Sequence, residues 1–240
     1  MKRFRMVAGP NGSGKSTLVS RLRHDYAVNF YTMLNADDIY AEVAKNLAYL
    51  PALPISGKDL AEYAQASEYA PAVKNAFVDG AITVVGDTVK FATPEAVNSY
   101  TIALLTNFLQ QEHIQQGLSF SQETVFSHPS KVAALKRALE NGFRTYLYVV
   151  ANQDVAINLT RIANRVQVGG HDVPSDKVIA RARRCLANIK PALPYCSRAY
   201  FFDNSSSQMR FLAEYSQDNG FVCAPDCQLP EWFAKYVIGN

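Results

Sequence analysis

Short apolar runs alternate along the chain with longer segments of helical periodicity. Residues 4–8 form a compact apolar run suited to a buried strand, and residues 16–23 carry Leu18, Val19 and Leu22 at helical spacing. Residues 30–34 read as a second strand, and residues 39–50 as a helix that Pro51 and Pro54 stop. The alanine-rich stretch 59–79 is helical in pattern. Pro71 demands a kink there or a split into two helices, and Gly80 ends it. The β-branched segment 81–89 fits a strand or a buried turn. Pro94 opens a long helical stretch to residue 116. A strand at 118–122 and a helix at 129–139 follow, the latter closed by Asn141-Gly142. Residues 144–151 make the clearest buried strand. Helices are expected at 154–168 and from Ser175, taken as a cap, to residue 189. Residues 199–202 form a last short strand, and 209–215 with 221–223 around Asp218-Asn219-Gly220 read as a hairpin.

The first strand and helix are joined by GPNGSGKST. Gly9, Gly14, Lys15 and Ser16 fit G-x-x-x-x-G-K-[ST], and strand–loop–helix is the context which that phosphate-binding motif requires. Glycines let backbone N–H groups converge on phosphate oxygens, and the helix start adds partial positive charge. The expected nucleotide-binding set is Gly9, Asn11, Gly12, Ser13, Gly14, Lys15, Ser16 and Thr17. Lys15 would reach the β- and γ-phosphates of ATP, and the Ser16 hydroxyl would hold Mg²⁺. With this loop the alternation predicts an α/β fold: a P-loop NTPase-type parallel sheet covered by helices on both faces. One kinase-type domain is expected over 1–240, with a helical insertion at 39–117 and a C-terminal β-hairpin extension at 207–240.

Composition narrows the classes. A 240-residue chain that is 48% hydrophobic can build a substantial core. A net charge of +3 argues against a nucleic-acid partner, whose binders carry larger and clustered charge. No run of about 18 apolar residues suggests a membrane span, and the short apolar run behind Met1-Lys2-Arg3 does not fit a signal peptide. A cytoplasmic protein is expected. Cys223 and Cys227 could form half a metal site, but Cys185 and Cys196 lack the paired spacing, so reduced thiols are expected.

Phosphoryl transfer needs positioning, a metal, positive charge and a base for the attacking hydroxyl. Asp37 follows the second strand and is the base candidate, with Asn35 to orient it; an N-cap is the equal alternative for Asp37. Asp38 suits the first turn of the same helix. Asp87, Glu123 and Asp203 each end an apolar run, and any of them could steady Mg²⁺ through water. Arg161 and Arg165 lie four apart on one helix face, and Arg181, Arg183 and Arg184 lie on the next helix. The turn VGGHDVP between them suits a lid over the triphosphate, in which His171 contacts phosphate or caps the turn.

The stretches GPNGSGKST, NADDI, ETVFS, LTRIANRVQVGGHDVPSDKVIARARRCLANI and YFFDNS together resemble the zeta-toxin family of P-loop kinases, in the bacterial branch labelled ABC-type ATPases. The resemblance covers residues 4–40 and 118–205. It implies transfer of the ATP γ-phosphate to a hydroxyl of a nucleotide-linked substrate, a UDP-amino sugar in better-studied relatives. Asp37 would then be the base, Glu123 and Thr124 substrate contacts, and Arg161 or Arg165 the γ-phosphate clamp. Toxicity and an antitoxin partner belong to some members only. Readings from other classes are an ATPase without an acceptor and a polynucleotide or dinucleotide kinase. The ABC signature LSGGQ and the guanine-reading N-K-x-D are both absent.

Overall fold

The computed structural model describes all residues except 168, 170–172, 226–227 and 240. In chain order the elements are β1 (Arg3–Ala8), α1 (Lys15–Tyr26), β2 (Thr32–Asn35), α2 (Ala36–Asn46), β3 (Ala48–Tyr49), α3 (Gly57–Ala66), α4 (Pro71–Val78), β4 (Ile82–Val85), β5 (Thr88–Phe91) and α5 (Ser99–Gln115). The second half continues with β6 (Phe120–Thr124), α6 (Ser130–Glu140), β7 (Arg144–Ala151), α7 (Val155–Gln167), α8 (Ser175–Ala187), α9 (Ile189–Ala192), β8 (Arg198–Asp203), β9 (Arg210–Ser216), β10 (Gly220–Cys223) and α10 (Glu231–Phe233). The chain divides into two compact units, residues 1–31 with 121–240, and residues 32–120.

The first unit holds a mixed sheet in the order β10-β9-β8-β7-β1-β6. β1 and β7 run parallel with Met6 opposite Leu147, and β7 and β8 run parallel with Val149 opposite Phe201. These residues are fully buried, as a strand covered on both faces requires. The tail is built onto this sheet: β9 pairs antiparallel with β8, and β10 closes the expected hairpin on β9. Phe221 and Phe233 then pack around Phe201, the Phe201–Phe233 pair edge-on with centroids 5.1 Å apart. Leu18, Val19 and Leu22 bury one face of α1, the three positions that its periodicity singled out.

The second unit combines four helices with the antiparallel sheet β3-β5-β4, so the expected helical segment also contains strands. Gly86-Asp87 supplies a two-residue turn between β4 and β5, with Val85 opposite Thr88. Pro71 does split one helical pattern in two, standing at the first position of α4. The helix expected from Pro94 instead starts at Ser99. The Asn98 side chain accepts from the Tyr100 and Thr101 amides while Thr101 Oγ1 accepts from the Asn98 amide, a capping box that fixes the start. α5 is buried nearly all round, including Leu104, Leu105, Phe108 and Leu109, and forms the spine of this unit.

Candidate active site

The site grows from the C-terminal end of β1. Met6, Val7 and Ala8 are buried and deliver the chain to Gly9 at the end of the strand. The loop then curls so that the Ser13 amide donates to the Pro10 carbonyl at 3.2 Å, and α1 begins at Lys15. Gly14 occupies the N-cap with φ 100°, and no side chain among the described residues caps this helix start. The first N–H groups of α1 are therefore left for an anion. Two amides from distant segments brace the loop: Asn158 Nδ2 donates to the Asn11 carbonyl at 2.6 Å, and Asn204 Nδ2 donates to the Ser13 carbonyl at 2.8 Å. Lys15 Nζ donates to the Pro10 carbonyl at 3.1 Å, folded back along the loop. Ser13 Oγ is buried without a hydrogen-bond partner among the described residues, a donor that an incoming phosphate oxygen would satisfy.

Gly14→Ala tests this cradle. A methyl group there would collide with the Asn204 amide in a left-handed backbone that costs an L-residue about 1–2 kcal/mol. The expected outcome is a lowered melting temperature together with weakened ATP binding, read by calorimetry. An unchanged ATP affinity would mean that the loop does not hold the nucleotide.

Ser16 Oγ lies 3.1 and 3.3 Å from the two carboxylate oxygens of Glu123, its proton donated between them. β6 carries Glu123 on its last turn of pleat, so the carboxylate is inside the strand rather than after it. Of the three strand-end acids, this one alone is joined to the loop serine by a described contact. Asp203 is 2% exposed and committed elsewhere: it pairs with Arg210 at 3.1 Å and accepts from Ser205 Oγ and Trp232 Nε1. Asp87 stands in the exposed turn of the β4–β5 hairpin. A hydroxyl beside a carboxylate is the hard-oxygen pair that suits Mg²⁺ retaining water and phosphate ligands. Among the described residues no cluster of three His, Cys, Asp or Glu side chains could hold a metal by itself.

Thr124 Oγ1 accepts from the Phe126 amide at 3.2 Å, and Asn188 Nδ2 donates to the Phe126 carbonyl at 2.9 Å. Phe126 is fully buried with φ 61°, a conformation that costs a non-glycine residue about 1–3 kcal/mol and needs such bracing. Arg161 Nη2 reaches the Ser206 carbonyl at 3.4 Å from α7, tying that helix to the loop after β8. Arg165, one turn on, is exposed. His171 and most of the expected lid lie outside the described residues, as does Cys227. Cys185 and Cys196 are buried free thiols, and burial pushes the Cys185 thiol up to about 12. Ser175 is the first residue of α8 and makes no capping bond; Pro174 holds the N-cap.

Asn35 and Asp37 belong to the second unit. Asn35 is the N-cap of α2, its Oδ1 accepting from the Asp37 amide at 3.0 Å. The cap is thus made by Asn35, and the Asp37 carboxylate is exposed in the first turn, not spent on capping. The neighbouring Asp38 carboxyl is raised above its ordinary range, mainly by burial and then by the Asp37 charge. Asn158, Asn188 and Asn204 were not singled out in the sequence; nothing local marks an asparagine whose partner is a backbone carbonyl 62 to 191 residues away.

A mixed α/β sheet with this loop after β1 and a carboxylate of β6 on its serine has the P-loop kinase fold, which zeta-toxin-like structures share. Solved structures agree. AvrRxo1-ORF1 in complex with AvrRxo1-ORF2 and sulphate ions matches with a TM-score of 0.60 at 12% identity over 98% of this chain and 63% of that one. The same complex with ATP matches at 0.58 and 13% identity, covering 93% and 60%. The PezAT chromosomal toxin–antitoxin system of Streptococcus pneumoniae matches at 0.50 and 12% identity, covering 100% and 79%. An uncharacterized Haemophilus influenzae protein is 40% identical over 65 residues, 27% of this chain and 46% of its own length. The chain thus spans under two thirds of the AvrRxo1 chains, and no protein-family model matches it.

Proposed function

We propose that this chain is a kinase that transfers the γ-phosphate of ATP to a hydroxyl of a small nucleotide-linked molecule, a UDP-amino sugar being the first candidate. The contact of Ser16 Oγ with Glu123 beside an uncapped, glycine-cradled helix start carries the reading. The AvrRxo1 structure with ATP supports the nucleotide. Bound MgATP supplies the electrophilic phosphorus and its metal. Lys15 neutralises the phosphates, Ser16 and Glu123 orient the cation's shell, Arg161 or Arg165 stabilises charge on the moving group, and Asp37 takes the acceptor's proton. Asn35 holds the backbone that aims Asp37, while Thr124 and His171 are the proposed acceptor contacts. As the PezAT neighbour is a toxin–antitoxin system, an antitoxin is a partner to test.

Incubation of the protein with Mg²⁺, ATP and a panel of nucleotide sugars and dinucleotides is expected to add one phosphate to a panel member, read by mass spectrometry. Lys15→Ala provides the blank. ATP hydrolysis at full rate with every acceptor unmodified would favour an ATPase without acceptor, and a dinucleotide product would replace the sugar.

A further inference from the structure

The first unit contains a cavity of about 260 Å³ between α7, α8 and the C-terminal segment. It belongs to the back of the phosphate loop: Pro10 lines it while its carbonyl accepts from Lys15 Nζ, and Asn158 lines it while bracing Asn11. The half-buried Tyr236 gives it an aromatic wall, and Trp232, 3% exposed, lies at its lining. The Trp232 indole N–H donates to Asp203 Oδ1 at 3.3 Å, which fixes the ring, and the Glu231 amide donates to Gln153 Oε1 at 3.1 Å, which pins the segment.

Two cations share this lining. Arg183 is exposed on α8 and has no hydrogen bond or ion pair among the described residues. Lys235 Nζ lies 5.5 Å from the Tyr236 ring centre. Lys235 and Tyr236 are neighbours in a π-helical turn, Ala234–Ile238, a winding enriched at functional sites. Val155, Ile179 and Leu186 add apolar lining. Glu231 adds one carboxylate, an acceptor for a ring N–H or amine.

We infer that this cavity binds a planar ring carrying an anionic group, the ring against Tyr236 and the anion on Arg183 and Lys235. An aromatic wall favours a ring through stacking, and a guanidinium and an ammonium on the same lining favour phosphate or carboxylate. The volume falls a little below the roughly 300–1,000 Å³ of small-ligand pockets, so a small aromatic acid or part of a mononucleotide fits it. The inference is independent of phosphoryl transfer.

Trp232 is the only tryptophan in the chain, so its emission reports on this lining. The full chain and its Lys15→Ala variant are titrated with AMP, UMP and phenylacetate, with adenosine as the uncharged control. A saturable emission change is expected for at least one anion in both proteins, at least tenfold weaker in the Arg183→Ala/Lys235→Ala double variant and absent with adenosine at equal concentration. A response to AMP or UMP alone assigns the ligand as a nucleotide; a response to phenylacetate as well assigns the broader class. The inference fails if no anion saturates, if Lys15→Ala abolishes the response, or if the double variant binds as tightly as the parent. ATP turnover by the parent, measured in parallel, judges the kinase reading separately.

Discussion

Asp37→Asn is expected to lower acceptor phosphorylation by about 10²- to 10⁴-fold while ATP binding is retained, the range for removing a general base. The substitution is nearly isosteric and keeps the backbone, because the N-cap bond comes from Asn35 and reaches the amide of residue 37, not its side chain. The structural cost is confined to one acid in the first turn of α2, where Asp38 remains. A fall in turnover with an intact melting temperature therefore reports chemistry. Asp38→Asn is the paired control: it removes an equal charge one residue on, and its effect on transfer is expected to be small. Full transfer by Asp37→Asn would sink the base assignment, and an equal loss in both variants would point to local charge rather than to a positioned base.

Much of this was legible because local rules decide it. The eight residues 144–151 form β7 with the expected bounds, since a run buried on both faces admits few other fates. The Asn141-Gly142 signal ends α6 with Gly142 at φ 75°. Where the reading slipped, a side chain or a distant strand intervened. The strand expected at 30–34 starts at Thr32, because Asn29 Oδ1 accepts from the Tyr31 amide and Tyr31 is turned left-handed at φ 53°. The helix expected to run to residue 50 stops at Asn46, and Ala48-Tyr49 pairs with β5 some 40 residues later, a partner no local pattern can name. The site followed the same division. The glycine loop is a contiguous motif and was read whole. That Ser16 meets Glu123 could not be read locally, because α1 and β6 bring Ser16 to a residue 107 positions away.

That contact yields the second large effect. Glu123→Gln is expected to lower ATP turnover by about 10²- to 10³-fold, as when one preorganised electrostatic group is lost, and to raise the Mg²⁺ concentration needed for half-maximal rate. Glutamine keeps the length of the side chain, and its carbonyl can still accept from Ser16 Oγ, so the loop and β6 stay joined. What disappears is one negative charge beside Ser16, and the Mg²⁺ dependence of the rate reads whether that charge acts on a cation. Asp203→Asn supplies the contrast. It disturbs a buried carboxylate engaged by Arg210, Ser205 and Trp232, so the melting transition should move while the Mg²⁺ dependence of the remaining activity stays put. Turnover against free Mg²⁺, with Mn²⁺ binding in the presence of ATP followed by electron paramagnetic resonance, separates the two carboxylates. If Glu123→Gln leaves the metal curve unmoved and Asp203→Asn shifts it, the strand-end acid has been misassigned and the Ser16–Glu123 contact is structural only.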